Sequence, residues 1–432
     1  MTAHNGLHAI PTDDRAWLMA ALEDALRGGA PVLPYDVASD PEPIAELQRA
    51  ELPEGTAVVL RTSGSTGVPK AVALSAAALV SSAAATHARL GGAGQWLVAL
   101  PSHLISGLQM RVRSEASGIH PRFYDAGASG FDAASLLEAA EASGALDADR
   151  SYVSLVPVQF ARLLDLAERD RDAADALRGF DAVLVGGQAL PLALRRRAYE
   201  LGVALKRSYG MTETSGGCVY DGVEIGDVQV RIRAGEVQLA GPTLALGYVG
   251  DPALTAERFV EDADRDGTRT RWYRTGDAGE LLGGMLTVTG RLDRVIVSGG
   301  VNVSLDEVER AVHEFAGWSG AVALGTPHPE WGERVSLVVE ADSGAEMASF
   351  DEVRQGVRDR LGPAAAPEWA TESEEIPRLA GGKPDLAALE EWLGRLRASF
   401  KQIRGAHRAP GAHGGHGEQE QQGTTEQRKA EQ

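Results

Sequence analysis

Apolar positions recur along this chain with two periods. Residues 14–28 carry them at helical spacing, and residues 75–89 do the same in an alanine-rich run behind the capping residue Ser75. Leu136–Ala142 and Val158–Ala167 repeat the helical pattern. Between these helices lie short continuous apolar runs of the kind a buried strand needs: Ala57–Leu60, Trp96–Leu100, Ser151–Val156 and Ala182–Val185. Ala204–Ser208 reads as a further strand. Strands alternating with helices predict an α/β sheet closed by crossovers.

From about residue 219 to 290 the texture changes. Segments such as Val228–Ile232 and Glu236–Ala240 alternate and are parted by glycines, which predicts a small antiparallel β subdomain. A second unit follows Asp293. It holds helices over Leu305–Phe315, Phe350–Leu361 and Leu386–Leu396, and strands over Ala321–Leu324 and Val335–Glu340. The predicted organisation is a large N-terminal domain over 1–292 with layered α/β sheets, and a small α+β domain over 293–398. Residues 399–432 are rich in Gly, Gln and His and lack the apolar content to fold, so a disordered tail is expected there.

Composition narrows the function. The 432 residues allow two or three domains, and 44% hydrophobic with 24% charged content is that of a soluble globular protein. No apolar run approaches the roughly 20 residues of a bilayer span, and the N-terminus lacks a secretory pattern. The single cysteine, Cys218, rules out an intrachain disulfide and fits a reducing cytoplasm. A net charge of −19 argues against nucleic acid and anionic membranes as partners. It also means that an anionic substrate needs a local cationic site.

The segment Arg61-Thr62-Ser63-Gly64-Ser65-Thr66-Gly67-Val68-Pro69-Lys70 offers one. Small residues let backbone N–H groups close around an anion, the hydroxyls add donors and Lys70 adds charge. A Walker spacing is absent. Four more motifs follow at long range. They are Tyr209-Gly210-Met211-Thr212-Glu213, Tyr273-Arg274-Thr275-Gly276-Asp277, Gly290 to Gly300, and Pro377-Arg378-Leu379-Ala380-Gly381-Gly382-Lys383. Taken singly, each is explained by a turn, a surface ion pair, a linker or an exposed lysine.

All five in this order resemble the adenylate-forming superfamily of acyl-CoA synthetases, luciferases and peptide-synthetase adenylation domains, over nearly the whole chain to about residue 397. The resemblance implies a reaction in which a carboxylate attacks the α-phosphorus of ATP, giving acyl-AMP and pyrophosphate. Two anions must meet, so positioning and charge neutralisation dominate. By resemblance, Thr62, Ser63, Gly64, Ser65, Thr66, Gly67 and Lys70 hold the leaving phosphates. Gly186, Gly187 and Tyr209 line the nucleotide, and Asp277 and Arg291 take the ribose. Thr212 and Glu213 meet phosphate and Mg²⁺, and Lys383 bridges carboxylate and phosphate during adenylation. The family then rotates its small domain about a hinge, here Asp293, and Gly299 and Gly300 line a channel for CoA, whose thiol takes the acyl group.

The acid is marked more narrowly. Pro101–Ser114, Ser154–Leu164 and Gly210–Cys218 resemble the acid-binding segments of the o-succinylbenzoate–CoA ligases of menaquinone biosynthesis. That acid carries two carboxylates. One reacts, and the other needs a cation and donors, for which Arg113, Ser106 and His103 stand at the matching positions. The chain departs from the pattern at two places: Arg61 opens the phosphate loop, and Leu104 stands where a histidine is common. A ligase for another aryl or acyl acid, a stand-alone adenylation domain loading a carrier protein, and a catalytically inactive scaffold are the alternatives. The resemblance also allows a homodimer, although no residue marks an interface.

Overall fold

The computed structural model describes residues 6–39, 41–62, 70–127, 130–263, 267–340, 347–379 and 382–406. Ser63, Gly64, Ser65, Thr66 and Gly67 of the phosphate loop therefore lie outside the described residues, as do residues 407–432 of the expected tail. Two compact units divide the chain, Met1–Ala387 and Ala388–Gln432.

Within the first unit, four sheets carry the site. The first has the order His8–Pro11, Val32–Tyr35, Thr56–Thr62, Lys70–Ser75, Gly247–Tyr248. The second has seven strands. Val223–Glu224, Gly216–Tyr220 and Leu205–Met211 form one side, and Ala182–Gly186, Ser151–Leu155, Gln95–Val98 and Arg122–Phe123 complete it. Its core pairs are parallel, as the continuous apolar runs demand. The helices Ala76–Leu90 and Ile105–Ser117 lie between these two sheets. Leu79, Leu108 and Val112 pack into the core of the first sheet, while Met110 packs with Trp96, Tyr152, Leu184 and Tyr220 of the second. A fully buried leucine of this kind contributes about 2 kcal/mol. Such a helix, buried on two sides, presents side chains to both sheets, which explains why its amphipathic stripe is weak. Gly107 lets it start close to the preceding turn, because a Cβ there would come within 2.2 Å of the Pro101 carbonyl oxygen.

The region from 219 to 290 is less self-contained than its alternation suggests. Gln229–Arg233, Glu236–Ala240, Arg269–Leu282 and Phe259–Ala263 form an antiparallel sheet in that order, with Met285–Arg291 also paired to Arg269–Leu282. Gly247–Tyr248, however, leaves it and pairs with Lys70–Ser75 of the first sheet, and Pro252–Arg258 is a helix. The fourth sheet is built from Val295–Ser298, Val301–Ser304, Val322–His328, Gly332–Glu340 and Trp369–Ser373.

The last helix runs from Leu386 to Ala406, ten residues beyond the Leu396 expected from sequence and eight into the segment 399–432 expected to be disordered. Its reason is visible in spacing: Leu389, Leu393, Leu396, Phe400 and Ile403 continue one apolar stripe. The α/β architecture is as expected.

Candidate active site

Two adjacent strands carry the residues predicted for the nucleotide. Asp277 and Arg291 are register partners on Arg269–Leu282 and Met285–Arg291, so both side chains leave the same face. Arg291 Nη1 lies 3.1 Å from Asp277 Oδ1. The turn that presents Asp277 is fixed from below. Glu236 accepts from the Gly276 N–H at 3.1 Å, and Thr275 Oγ1 accepts from the Asp277 N–H at 2.9 Å. Gly276 has φ +73°, which favours glycine, and the Arg258 and Arg291 guanidinium groups stand 3.3 Å from where a Cβ would lie. The Tyr209 hydroxyl donates to Asp277 Oδ2 at 2.6 Å. Burial and the Asp277 charge hold that phenol well above its ordinary pKa.

Arg291 is doubly paired. Asp293, the predicted hinge residue, takes its Nε at 3.0 Å and Nη2 at 2.7 Å, a bidentate fork. Those hydrogen bonds raise the guanidinium pKa against the cost of burial.

Glu213 sits in a single 3-10 turn, Thr212–Thr214, capped by Thr214 Oγ1 accepting from the Met211 N–H at 3.0 Å. Tyr248 donates to Glu213 Oε1 at 2.9 Å, and Lys70 Nζ stands 5.9 Å from the Tyr248 ring centre. The short strand Gly247–Tyr248 thereby ties Glu213 to the end of the phosphate loop. Burial, then Glu213, push the Tyr248 and Tyr273 phenols upward. Among the described residues no cluster of three His, Cys, Asp or Glu side chains could hold a metal by itself.

Lys383 is carried by a closed turn. Asp385 N–H donates to the Pro377 carbonyl at 2.7 Å and Leu379 N–H to the Lys383 carbonyl at 2.8 Å. Gln188, the residue after Gly186-Gly187, donates to the Gly382 carbonyl at 3.2 Å. Lys383 is exposed as a residue, while protein crowds its ammonium. That burial lowers its pKa. Asp277 raises it, Arg291 lowers it and Glu213 raises it, so the cation stands in the field of the whole nucleotide side.

The residues predicted for the acid are arranged differently. On Ile105–Ser117, the residues Ser106, Met110 and Arg113 share one face by helical spacing. That face covers the second sheet where register aligns Ser208 with Gly186 and Tyr220, and Ser154 with Leu184. Arg113 is 3% exposed. Its guanidinium carbon lies 4.6 Å from the Trp96 ring centre, and Nη2 donates to the Tyr220 hydroxyl at 3.3 Å. Its Nε–H is buried with no acceptor, and among the described residues no carboxylate pairs with it. Burial lowers its pKa. His87 stands beside it, and burial followed by the Arg113 charge brings that imidazole down to about 4.

Other predicted residues fall elsewhere. His103 is half-buried and feels Asp36 and Arg61, so it lies at the foot of the phosphate loop. Its Nδ1 is buried without a partner. Gly299 and Gly300, at φ +58° and +82°, form the two-residue turn between Val295–Ser298 and Val301–Ser304. Their sequence is explained by that turn, and at Gly299 also by the Trp331 ring packed 2.6 Å from where a Cβ would stand. Tyr248, Tyr220, Trp96 and Glu236 were not singled out by motif reading. A tyrosine in a two-residue strand gives no periodic signal, and the other three look like ordinary strand residues.

This geometry is that of an enzyme that activates a substrate on a nucleotide, and the matches agree. The AMP-binding enzyme family model matches residues 14–284, and the AMP-binding enzyme C-terminal domain model matches residues 307–383. The chain belongs to the AMP-binding enzyme family. A probable 2-succinylbenzoate–CoA ligase of Mycobacterium tuberculosis (strain ATCC 25618 / H37Rv) is 36% identical over 388 residues, 89% of this chain and 97% of its own. The 2-succinylbenzoate–CoA ligase of Escherichia coli K12 is 31% identical over 345 residues, 77% of this chain and 68% of its own. Among solved structures, the o-succinylbenzoate CoA synthetase of Bacillus subtilis, in complex with its acyl-adenylate intermediate, has a similar fold, with TM-score 0.68 and 21% identity over 88% of this chain and 86% of that one. Among the described residues no helix is long and apolar enough to cross a membrane.

Proposed function

We propose that this chain is an AMP-forming acid–CoA ligase that converts 2-succinylbenzoate (o-succinylbenzoate) to its CoA thioester, the step its relatives serve in menaquinone biosynthesis. The observation that carries the choice of acid is Arg113: a buried guanidinium, free of any carboxylate among the described residues, on the helix face that carries Ser106. An uncompensated buried cation is costly. A substrate with a second carboxylate would repay that cost, whereas a fatty acid would leave it standing.

In this reading the reacting carboxylate attacks the α-phosphorus of ATP and the bond to pyrophosphate breaks. Lys383 neutralises the oxygens as charge gathers there, and Lys70 with the loop from Thr62 holds the leaving phosphates. Asp277 has lone pairs left on both oxygens after Arg291 and Tyr209 are served, and those accept the ribose hydroxyls. Glu213 supplies a hard oxygen for Mg²⁺, an ion that binds through one or two carboxylates plus substrate phosphates, so the donor set fits. Bound there, the ion would add positive charge against the phosphates. The CoA thiol then attacks the acyl carbon and AMP leaves, after residues from Asp293 onward rotate and withdraw Lys383.

Acid-dependent ATP/pyrophosphate exchange across a panel tests the assignment. 2-Succinylbenzoate should exceed benzoate and medium-chain acids by at least about 100-fold, the worth of one charged pair in a dry pocket. A benzoate or medium-chain acid outperforming it would sink the assignment.

A further inference from the structure

The guanidinium of Arg113 is steered by a hydrogen-bond relay that lies outside every motif. Tyr220 is fully buried at the end of Gly216–Tyr220. Its oxygen is 3.3 Å from Arg113 Nη2 and 3.0 Å from Thr86 Oγ1 on the helix Ala76–Leu90. A guanidinium only donates, so the phenol oxygen accepts from Arg113, and it shares a second hydrogen bond with the Thr86 hydroxyl in which either oxygen can be the donor. Thr86 fixes the phenol rotor, and the rotor offers a lone pair to Nη2. From the side, the Trp96 ring supports the guanidinium at 4.6 Å. One edge and one face are thereby held, while the Nε–H is left without an acceptor.

We infer that Tyr220, locked by Thr86, is a positioning residue that fixes the roll of the Arg113 guanidinium and so sets the discrimination between acids with and without a second carboxylate. This deepens the assignment of Arg113 to the acid pocket and rests on it. A single hydrogen bond to a long flexible arginine decides little in water. In a buried pocket it decides which N–H groups point at the ligand, because no water replaces it. The relay also spans three elements, so it registers the helix Ile105–Ser117 against the sheet and against its neighbouring helix.

The test is a specificity ratio. kcat/KM is measured for 2-succinylbenzoate and for 4-oxo-4-phenylbutanoate, which is the same acid without the aryl carboxylate. Tyr220→Phe removes only the hydroxyl. It should lower the ratio about 5- to 10-fold, the worth of one buried hydrogen bond, and leave the KM for ATP unchanged. Thr86→Val should lower the ratio in the same direction, and Thr86→Ser should restore it; this pair serves if Tyr220→Phe fails to fold. An unchanged ratio in Tyr220→Phe and Thr86→Val, or an equal loss for both acids, would overturn the inference and leave Tyr220 as core packing. Arg113→Met separates the two levels. If it collapses the ratio while Tyr220→Phe does not, only the relay is wrong. If Arg113→Met itself leaves the ratio intact, the acid-pocket assignment is wrong and the relay falls with it.

Discussion

Arg291 and Arg113 are both cations drawn partly or wholly out of water, and the protein treats them in opposite ways. Arg291 is half-buried and already paired by Asp277 and Asp293, so the protein satisfies it before any ligand arrives. Arg113 is buried among Trp96, Tyr220 and His87, with no carboxylate among the described residues. The first arrangement is stable by itself and orders a carboxylate, Asp277, which the proposed function assigns to the ribose. The second keeps a charge uncompensated, and in the proposed function the substrate's own carboxylate completes it. A protein of net charge −19 would on the proposed function use both: ion pairs where geometry must be fixed, and an unpaired cation where an anion must be chosen.

The largest effect should come from the third cation, Lys383, which belongs to neither scheme. Protein crowds its ammonium, and Asp277 and Glu213 hold up a pKa that burial and Arg291 lower. Lys383→Ala should cut acyl-AMP formation about 100- to 1,000-fold, the usual cost of removing one donor aimed at developing charge. Thioester formation from supplied acyl-AMP and CoA should survive. Single-turnover assays of the two half-reactions measure this directly. Equal loss of both would end the two-pose mechanism and leave Lys383 as a general anchor.

Arg113→Met comes next and tests the contrast itself. It should lower kcat/KM for 2-succinylbenzoate about 100-fold with the KM for ATP unchanged. Its second readout is stability. Methionine in place of an unpaired buried charge should leave the melting temperature equal or higher, whereas Arg291→Met strands Asp277 and Asp293 and should lower it. If both variants lose stability alike, Arg113 has a protein counter-charge and the comparison fails.

The two sites were not equally legible. Thr212, Glu213, Asp277, Arg291 and Lys383 lie in glycine-rich motifs whose order along the chain carries the class, because tight turns and presented side chains impose short local patterns. The turn at Gly276 is an example: a positive φ and two crowding arginines leave little freedom. Arg113 was legible only through resemblance, since one arginine on a helix buried on both sides breaks no local rule. Tyr220, Thr86 and Trp96 left no trace, because their roles depend on register between strands and helices far apart in sequence. Tyr248 was hidden for the same reason, its strand having left one sheet for another. The helix end at Ala406 was missed because composition outweighed the apolar spacing of Phe400 and Ile403.

The smallest effect is also the most local probe of the Arg113 charge. Trp96 Nε1 donates to His87 Nε2 at 3.4 Å, a bond that requires a neutral imidazole. Burial and then Arg113 bring the folded pKa to about 4, against an unfolded value near 6.5. Between those values the unfolded chain binds a proton that the folded chain refuses. The histidine's contribution to stability is therefore full above pH 6.5 and drains away as pH falls toward 4. Arg113→Met removes one of the two causes, so the His87 pKa should rise and the melting temperature should fall less steeply over that window, by an amount on the order of 1–2 °C. Saturating 2-succinylbenzoate should act in the same direction on the wild type, because its aryl carboxylate would neutralise the guanidinium. The His87 imidazole resonance followed by NMR titration reads both shifts. An unmoved His87 pKa in Arg113→Met would mean that the guanidinium does not face this pocket wall, and the acid site would then have to be sought on another face of the helix.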